Sequence, residues 1–215
     1  LGNSSIDGTY NLNINASALT MNGTIGANQA LQNLSIDLSS AELKLVSDIT
    51  LAGNLSIKAN LFTQNANIYS TGGNISILSN TGIQMSADSS TRAQNGNVQL
   101  TSTTGDIGIG IINAFCSIRL TATQGSLINA INDYIADNNT SINLQAPDVQ
   151  LQAGVNIGTS VASPVVIAAG RQGTIQAQAP GSVYIANIDG SQTNLGGRSQ
   201  DISLQTRLAA TDAIQ

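Results

Sequence analysis

Two aspartates in an irregular stretch of the chain are the residues best suited to acid–base chemistry. Asp133 and Asp137 flank Tyr134 within residues 129–139, which interrupt an otherwise regular pattern. Two carboxyl groups close together can act as general acid and general base on a glycosidic bond, as a polysaccharide hydrolase requires. The alternative is an ordinary solvated loop. We therefore treat Asp133, Tyr134 and Asp137 as a candidate binding loop and assign no catalytic residue.

Other signals of chemistry in the sequence are weak. The chain has no histidine, so the usual general base and the usual transition-metal ligand are both missing. Four aspartates near expected corners could offer oxygen ligands to Ca²⁺, although no dense Asp-Gly repeat accompanies them. These are Asp37, Asp48, Asp88 and Asp106. The sequence therefore predicts a protein that is not an enzyme and that holds no metal or cofactor.

Composition excludes further classes of function. The net charge is −5, with only 7 Lys and Arg in 215 residues, so no basic stripe is available to neutralise the phosphates of a nucleic acid. The chain has no run of about 18 apolar residues, so no membrane-spanning helix is predicted.

Aromatic residues make up 3% of the chain, which leaves Tyr69, Tyr134 and Tyr184 as the candidates for stacking on a sugar. The single cysteine, Cys116, follows Phe115 in an expected strand, which predicts a buried, inert thiol.

These residues must be positioned by a repeat, which is the strongest signal in the sequence. A glycine, a small polar residue and an apolar–polar–apolar triplet recur as Gly53–Ile57, Gly73–Ile77 and Gly96–Leu100. Looser copies extend the series in both directions with a period of roughly 20 residues. The first apolar residues of the series are Leu12, Leu34, Leu55, Ile75, Val98, Ile118, Ile142, Val165, Val183 and Ile202.

Each repeat has the pattern of three short strands. Leu34, Ile36 and Leu38 alternate with polar residues, and further pairs of apolar residues begin at Leu43 and at Ile49. A period of two is typical of a half-buried strand. A second apolar group follows the first by seven to nine residues in most repeats, as at Leu19, Leu43, Ile83, Ile107, Leu127 and Val149. Turn residues separate the groups, and we expect Gly82, Gly105 and Gly125 to supply positive φ angles at corners.

The fold predicted from this pattern is all-β, a right-handed parallel β-helix with about ten coils of roughly 20 residues. Residues 1–204 form the repeats with a loop insertion near 129–139, and residues 205–215 form an irregular tail or begin a further coil. Pro147, Pro164 and Pro180 are expected at corners or strand starts, because proline cannot donate to a sheet ladder. The absence of an atypical terminal repeat favours a segment of a longer polypeptide.

The N-terminal quarter resembles a known family of bacterial proteins. Residues 7–12 read Asp-Gly-Thr-Tyr-Asn-Leu, residues 25–34 have the pattern Ile-Gly-x-x-x-Ala-Leu-x-x-Leu, and residues 53–57 read Gly-Asn-Leu-Ser-Ile. These phrases are similar to the repeats of the large exoproteins related to filamentous haemagglutinin, which are two-partner-secretion adhesins. Gly96–Leu100 and Thr104–Ile107 are similar to the same repeats. The resemblance implies a right-handed parallel β-helix, secreted and displayed at the bacterial cell surface.

The function expected from the repeat and the resemblance is structural. The chain would be a stalk or fibre segment of a secreted adhesin or matrix exoprotein that acts in adhesion or biofilm assembly. Its partners would be neighbouring repeats of the same polypeptide, other copies of itself, or a polysaccharide of a host surface or matrix. Two alternatives remain open: a carbohydrate-active β-helix such as a polysaccharide lyase or depolymerase, and a viral or phage fibre segment, which trimerisation would distinguish.

Overall fold

The protein is a right-handed parallel β-solenoid. A computed structural model describes residues 5–19, 21–131 and 141–189, together with the strands at 192–196 and 202–206. The described residues make about eight turns, and none of them lies in a helix. The strands are β1 (Asn11–Asn15), β2 (Asn33–Leu45), β3 (Ile49–Leu51), β4 (Leu55–Gln64), β5 (Ile68–Ser70), β6 (Ile75–Met85), β7 (Ser90–Ala93), β8 (Val98–Ser102), β9 (Ile107–Ile109), β10 (Ile111–Ala114), β11 (Ser117–Ala122), β12 (Leu127–Asn129), β13 (Leu144–Gln145), β14 (Asp148–Ala153), β15 (Val165–Ala168), β16 (Thr174–Gln178), β17 (Val183–Asn187), β18 (Gln192–Gly196) and β19 (Ile202–Thr206).

The coils present three faces. The first face follows the order β1-β2-β4-β6-β8-β11-β14-β16-β18, and the third face follows β3-β5-β7-β10-β13-β15-β17-β19. The second face consists of the C-terminal halves of β2, β4 and β6, continued by β9 and β12. The long strands reach two faces because each bends where its register shifts, between Leu38 and Glu42 in β2 and between Ala59 and Leu61 in β4.

Alternation along each strand builds the core. Leu34, Ile36 and Leu38 are buried and their neighbours are not, as the period of two predicts. Leu43 and Leu45 on the second face are buried in the same way, as are Ile49 and Leu51 on the third. Burial of each such aliphatic side chain contributes roughly 1.5–3 kcal/mol before the entropic cost of ordering the chain. Because no single coil can cover its own apolar residues, stacking on the next coil is what stabilises the fold.

The predicted ladder of first apolar residues is confirmed for six members and wrong for the last four. The six that pair in sequence on the first face are Leu12, Leu34, Leu55, Ile75, Val98 and Ile118. The next partner of Ile118 is Val149, which was predicted on the second face, and Ile175 follows. Ile142 lies in no strand, one residue before buried Asn143. Val165, Val183 and Ile202 belong to the third face.

The wrong assignment of the last four members of the ladder has a simple cause. The coil between Ile118 and Val149 contains the irregular stretch near 129–139 and is longer than the earlier coils. When the apolar alternation resumes at Leu144, it does so on the third face instead of the first. Strands of the third face were therefore assigned to the first face. The predicted number of coils, about ten, is for this reason higher than the observed number of turns, about eight.

Side-chain oxygens connect the coils at the start of the first face. Asn54 N–H donates to Asn33 Oδ1 at 2.7 Å, Asn74 N–H to Asn54 Oδ1 at 2.9 Å, and Asn97 N–H to Asn74 Oδ1 at 2.9 Å. The Ser117 hydroxyl extends the row by donating to Asn97 Oδ1 at 2.6 Å. Each oxygen thus accepts a bond from the following coil, where the chain turns and the ladder between strands has not yet begun. The small polar residue of the repeat is explained by this row.

Corner glycines are required mainly for space. A Cβ on Gly73 would lie 2.3 Å from the carbonyl carbon of Gly53, and a Cβ on Gly96 would lie 2.2 Å from the carbonyl oxygen of Gly73. The expectation of positive φ is confirmed at Gly82, where φ is 155°, and is wrong at Gly105 and Gly125. At these two glycines a Cβ would approach a backbone oxygen of the preceding coil to 1.8 and 2.3 Å.

The single cysteine departs from its prediction, whereas the prolines follow theirs. Cys116 is exposed, as is Phe115, because both residues form the turn between β10 and β11, so the expectation of a buried thiol is wrong. Pro147 and Pro164 directly precede β14 and β15, and Pro180 lies in the turn after β16. Within the described part of the chain, no helix is long and apolar enough to cross a membrane.

Candidate functional site

The predicted binding loop lies outside the described residues, and the residues on both sides of it are in contact. Asp133, Tyr134 and Asp137 fall within residues 132–140, between the described segments 21–131 and 141–189. The chain before this segment ends at Asn129–Ile131, and the chain after it begins at Ser141–Asn143. Asn129 is 4% exposed and occupies an inward position of β12, whereas Asn143 is fully buried although the alternating pattern predicts that it faces outward.

The two asparagines form a buried hydrogen-bond network. Asn143 Nδ2 donates to Asn129 Oδ1 at 2.9 Å and to the carbonyl oxygen of Ile109 at 3.2 Å, and Asn143 Oδ1 accepts from Val166 N–H at 2.9 Å. Asn129 Nδ2 donates to the carbonyl oxygen of Pro164 at 2.8 Å. The network adds to the backbone bonds that these coils already make, and a buried polar group without such partners would cost a few kcal/mol. It joins the chain that precedes residue 132 to the chain that follows residue 140.

The four aspartates considered as Ca²⁺ ligands lie at separate places in the fold, and two of them accept hydrogen bonds from the backbone of the next coil. Asp48 Oδ1 accepts from Asn67 N–H at 2.8 Å, and Asp106 Oδ1 accepts from Ser126 N–H at 2.7 Å, so both act like the asparagines of the first-face row. Asp37 lies within β2, not at a corner, and Asp88 lies in the turn between β6 and β7. No group of three or more acidic, His or Cys residues that could hold a metal occurs among the residues with described positions.

Local hydrogen bonds hold two exposed carboxylates in their charged form. The Ser39 hydroxyl, at 2.6 Å, and the Ser39 N–H lower the pKa of Asp37, and Lys58, 3.8 Å away, adds a smaller effect. The Ser5 hydroxyl and the backbone and side-chain N–H groups of Asn28 lower the pKa of Asp7. Both carboxylates are on the surface, so these shifts indicate local ordering and not a catalytic acid.

A groove on the third face combines the features of a ligand site better than any aspartate cluster does. It has a volume of about 500 Å³ and runs along the solenoid over β7, β10, β13 and β15. We call it the Phe115 groove, and it is lined by Arg92, Ala93, Gln94, Asn113, Ala114, Phe115, Gln145, Ala146, Pro147, Ala168, Ala169, Gly170 and Asp189.

The floor and the walls of the Phe115 groove differ in chemistry. Ala93, Ala114, Ala146 and Ala169 are at most 8% exposed and form a floor of small apolar side chains. Above them, Arg92, Asn113 and Gln145 occupy matching positions of successive coils, because their strands pair in that register. A concave surface with an apolar base and a few directed polar groups is the usual form of a small-ligand site.

One end of the groove is ordered by an aromatic residue of the neighbouring coil. The Arg92 guanidinium lies over the Tyr69 ring, 5.7 Å from its centroid, and the Tyr69 hydroxyl donates to Gln94 Oε1. These contacts hold the cation and the amide in place at the surface. At the other end, Asp189 accepts a hydrogen bond from Gly170 N–H. The groove therefore presents a cation, a row of amides and a carboxylate in that order.

Only part of this site is predictable from the sequence. Tyr69 was a candidate for sugar stacking, and the structure places it beside the groove. Tyr184 lies half-buried in β17, on the same face. Phe115 is not identified by the sequence pattern, which predicts a strand at this position, whereas the structure has a turn between β10 and β11. The one sequence feature that could have identified Phe115 is its position directly before Cys116 and Ser117, where the next coil begins. A residue between two strands need not be buried by the alternation within either strand.

Comparison with protein-family models, with curated proteins and with solved structures finds no match to this chain. The class of protein that the structure defines is the parallel β-solenoid repeat proteins. The resemblance to exoproteins related to filamentous haemagglutinin stays a prediction.

Proposed function

We propose that this chain is a structural stalk or fibre segment of a secreted bacterial surface adhesin or matrix exoprotein. The observation that carries the proposal is the continuous parallel ladder of the first face, from β1 to β18, with no break at the insertion. About eight turns at about 4.8 Å each span roughly 38 Å, so the segment is a spacer whose length grows with the number of repeats.

The surface chemistry suits an extended rod. Equivalent outward positions stack about 4.8 Å apart, so a charged residue repeated at one position would repel its own copies. The chain instead places Ser35, Ser56 and Ser76 in one row, continued by Gln99 and Arg119. Only 9% of its residues are charged, which fits a repeat that must stack on itself. Neighbouring repeats of the same polypeptide are the natural partners of such a segment.

Surface localisation is the part of the proposal that an experiment can decide directly. Antibodies raised against the purified chain are applied to intact cells of the producing bacterium and, in parallel, to lysed cells. We expect labelling of intact cells that protease treatment removes, while an antibody against a cytoplasmic protein labels lysed cells alone. Labelling of this chain in lysed cells alone would overturn the proposal.

The mass of the chain in solution separates the stalk from the fibre alternative. We expect sedimentation equilibrium to give a monomer of 22.0 kDa, because each coil covers its apolar residues with the next coil of the same chain. A stable trimer would favour a viral or phage fibre segment and would count against the stalk.

A further inference from the structure

We propose that the Phe115 groove binds an extended acidic polysaccharide, with one sugar unit packed on Phe115 and a uronate carboxylate on Arg92. Binding by the groove goes beyond the proposed spacer role, because a spacer requires no ligand. The inference is carried by three features of the groove, namely an exposed aromatic ring, a row of amides at the coil spacing, and a cation held in place.

Phe115 is the most exposed of the large apolar residues whose exposure the structure gives, at 67%. It belongs to the turn between β10 and β11, and its backbone N–H donates to the carbonyl oxygen of Ala93 at 3.1 Å, which holds the turn against the preceding coil. An aromatic face offers a flat apolar surface, which matches the C–H face of a pyranose ring. The ring is one wall of the Phe115 groove, where it can contact a ligand that lies over the alanine floor.

Three polar side chains of the groove, two amides and one guanidinium, are placed at regular intervals. Asn113 pairs with Arg92 in the preceding coil and with Gln145 in the following coil, which puts the three side chains in one row about 4.8 Å apart. This interval is close to the rise of one sugar unit in an extended β-linked chain. Side-chain amides both donate and accept hydrogen bonds, so each can bind a sugar hydroxyl in either role.

Arg92 makes an acidic sugar the better ligand. Its guanidinium is held over Tyr69, which leaves its edge for a planar, bidentate contact with a carboxylate. Asp189, at the far end beside Gly170, can accept hydrogen bonds from sugar hydroxyls but would repel a carboxylate. A sugar carboxylate is therefore favoured at the Arg92 end of the groove and disfavoured at the Asp189 end.

Binding is measured by isothermal titration calorimetry with the full chain and oligomannuronate, an acidic β-linked oligosaccharide. Cello-oligosaccharides of equal length serve as the neutral comparison. We expect oligomannuronate to bind more tightly than the neutral sugar. Phe115→Ser should weaken binding by roughly fivefold to tenfold, and Arg92→Gln by roughly tenfold or more. Arg119→Gln, which removes an exposed arginine of the first face, should leave the affinity unchanged.

Each result bears on the groove and not on the stalk, since antibody labelling tests the latter separately. Absence of oligomannuronate binding, or equal loss of affinity in Arg119→Gln, would overturn the inference. Equal affinity for the neutral sugar would refute the acidic ligand. Sedimentation without sugar adds one further check, because a dimer that Phe115→Ser abolishes would show that the groove is covered by a second copy of the chain. Circular dichroism spectra matching the unmodified chain establish that each variant is folded.

Discussion

Replacing Gly73 with alanine should destabilise the solenoid strongly, although the change adds one methyl group. Gly73 stacks on Gly53 in the coil below, and the new Cβ would lie 2.3 Å from the Gly53 carbonyl carbon and 2.6 Å from Asn54 N. Those neighbours are backbone atoms, which cannot rotate away as a side chain would. The two coils must therefore separate at this corner.

The required separation sets the size of the effect. Ordinary contact distances demand a local shift of roughly 1 Å. Asn74 N–H to Asn54 Oδ1 and Leu55 N–H to the Asn74 carbonyl oxygen are both 2.9 Å, and a shift of that size would break both bonds. At roughly 0.5–1.5 kcal/mol each, with added strain from the displaced backbone, we expect a loss of about 2–4 kcal/mol in the free energy of unfolding.

Gly108→Ala provides the matched control for this experiment. Its Cβ would meet the carbonyl oxygen of Ile83 at 3.7 Å and no closer atom, and its φ is not positive. We expect a change within about 0.5 kcal/mol, because the site has room and alanine orders the unfolded chain slightly.

Urea unfolding of the full chain, followed by circular dichroism and by hydrogen exchange of the amides near residues 54–75, measures both variants. Hydrogen exchange is included because repeat proteins can unfold in parts, so that one midpoint underestimates a local effect. We expect faster exchange near the Gly53–Gly73 corner in Gly73→Ala alone. If the two variants were equally stable, close stacking of the glycines would not be a requirement of the fold.

Three further predictions concern the network, the thiol and the charge. Asn143→Leu should cost roughly 2–4 kcal/mol in a urea titration, since it removes the amide that donates to Asn129 Oδ1 and takes the side-chain acceptor from the Val166 N–H, and a loss below about 0.5 kcal/mol would contradict the network. Cys116 should react with a maleimide in the native protein as fast as in urea, and protection until unfolding would show that it is buried. The pKa of Asp37 is lowered from 3.8, so its stabilising effect is present above about pH 4 and is lost as the pH falls through the folded-state pKa; Asp37→Asn should therefore show a smaller drop in melting temperature on acidification, and an unchanged drop would refute this.

The strands were predictable because their physics is local. Alternation with a period of two identifies the inward residues of β2, and Leu34, Ile36 and Leu38 are buried as expected. The spacing between coils follows from the repeat, since stacked coils must offer equivalent residues to one another. The same local rule fails at Phe115 and Cys116. The alternation of apolar and polar residues continues through these positions, but the chain turns there between β10 and β11.

The candidate site was largely beyond the reach of the sequence. The Phe115 groove gathers Arg92, Asn113 and Gln145 from three coils, and their alignment depends on the register of β7, β10 and β13. That register passes through the long coil after Ile118, whose length the repeat does not predict. The buried pair of Asn129 and Asn143 was equally hidden, because asparagine in this chain is usually an outward residue.

Ambiguity between faces is inherent in this kind of solenoid, because every corner has the same physical requirement. Each coil must offer a side-chain oxygen to the backbone of the next, and Asn54 does so on the first face as Asn156 does, accepting from Ser182 N–H at 2.7 Å, at another corner. Each strand must then alternate apolar and polar residues. Identical requirements select similar residues, so the repeat determines where a strand begins but not to which face it belongs. Only a coil of similar length preserves the assignment, and the longer coil between Ile118 and Val149 is where that condition fails.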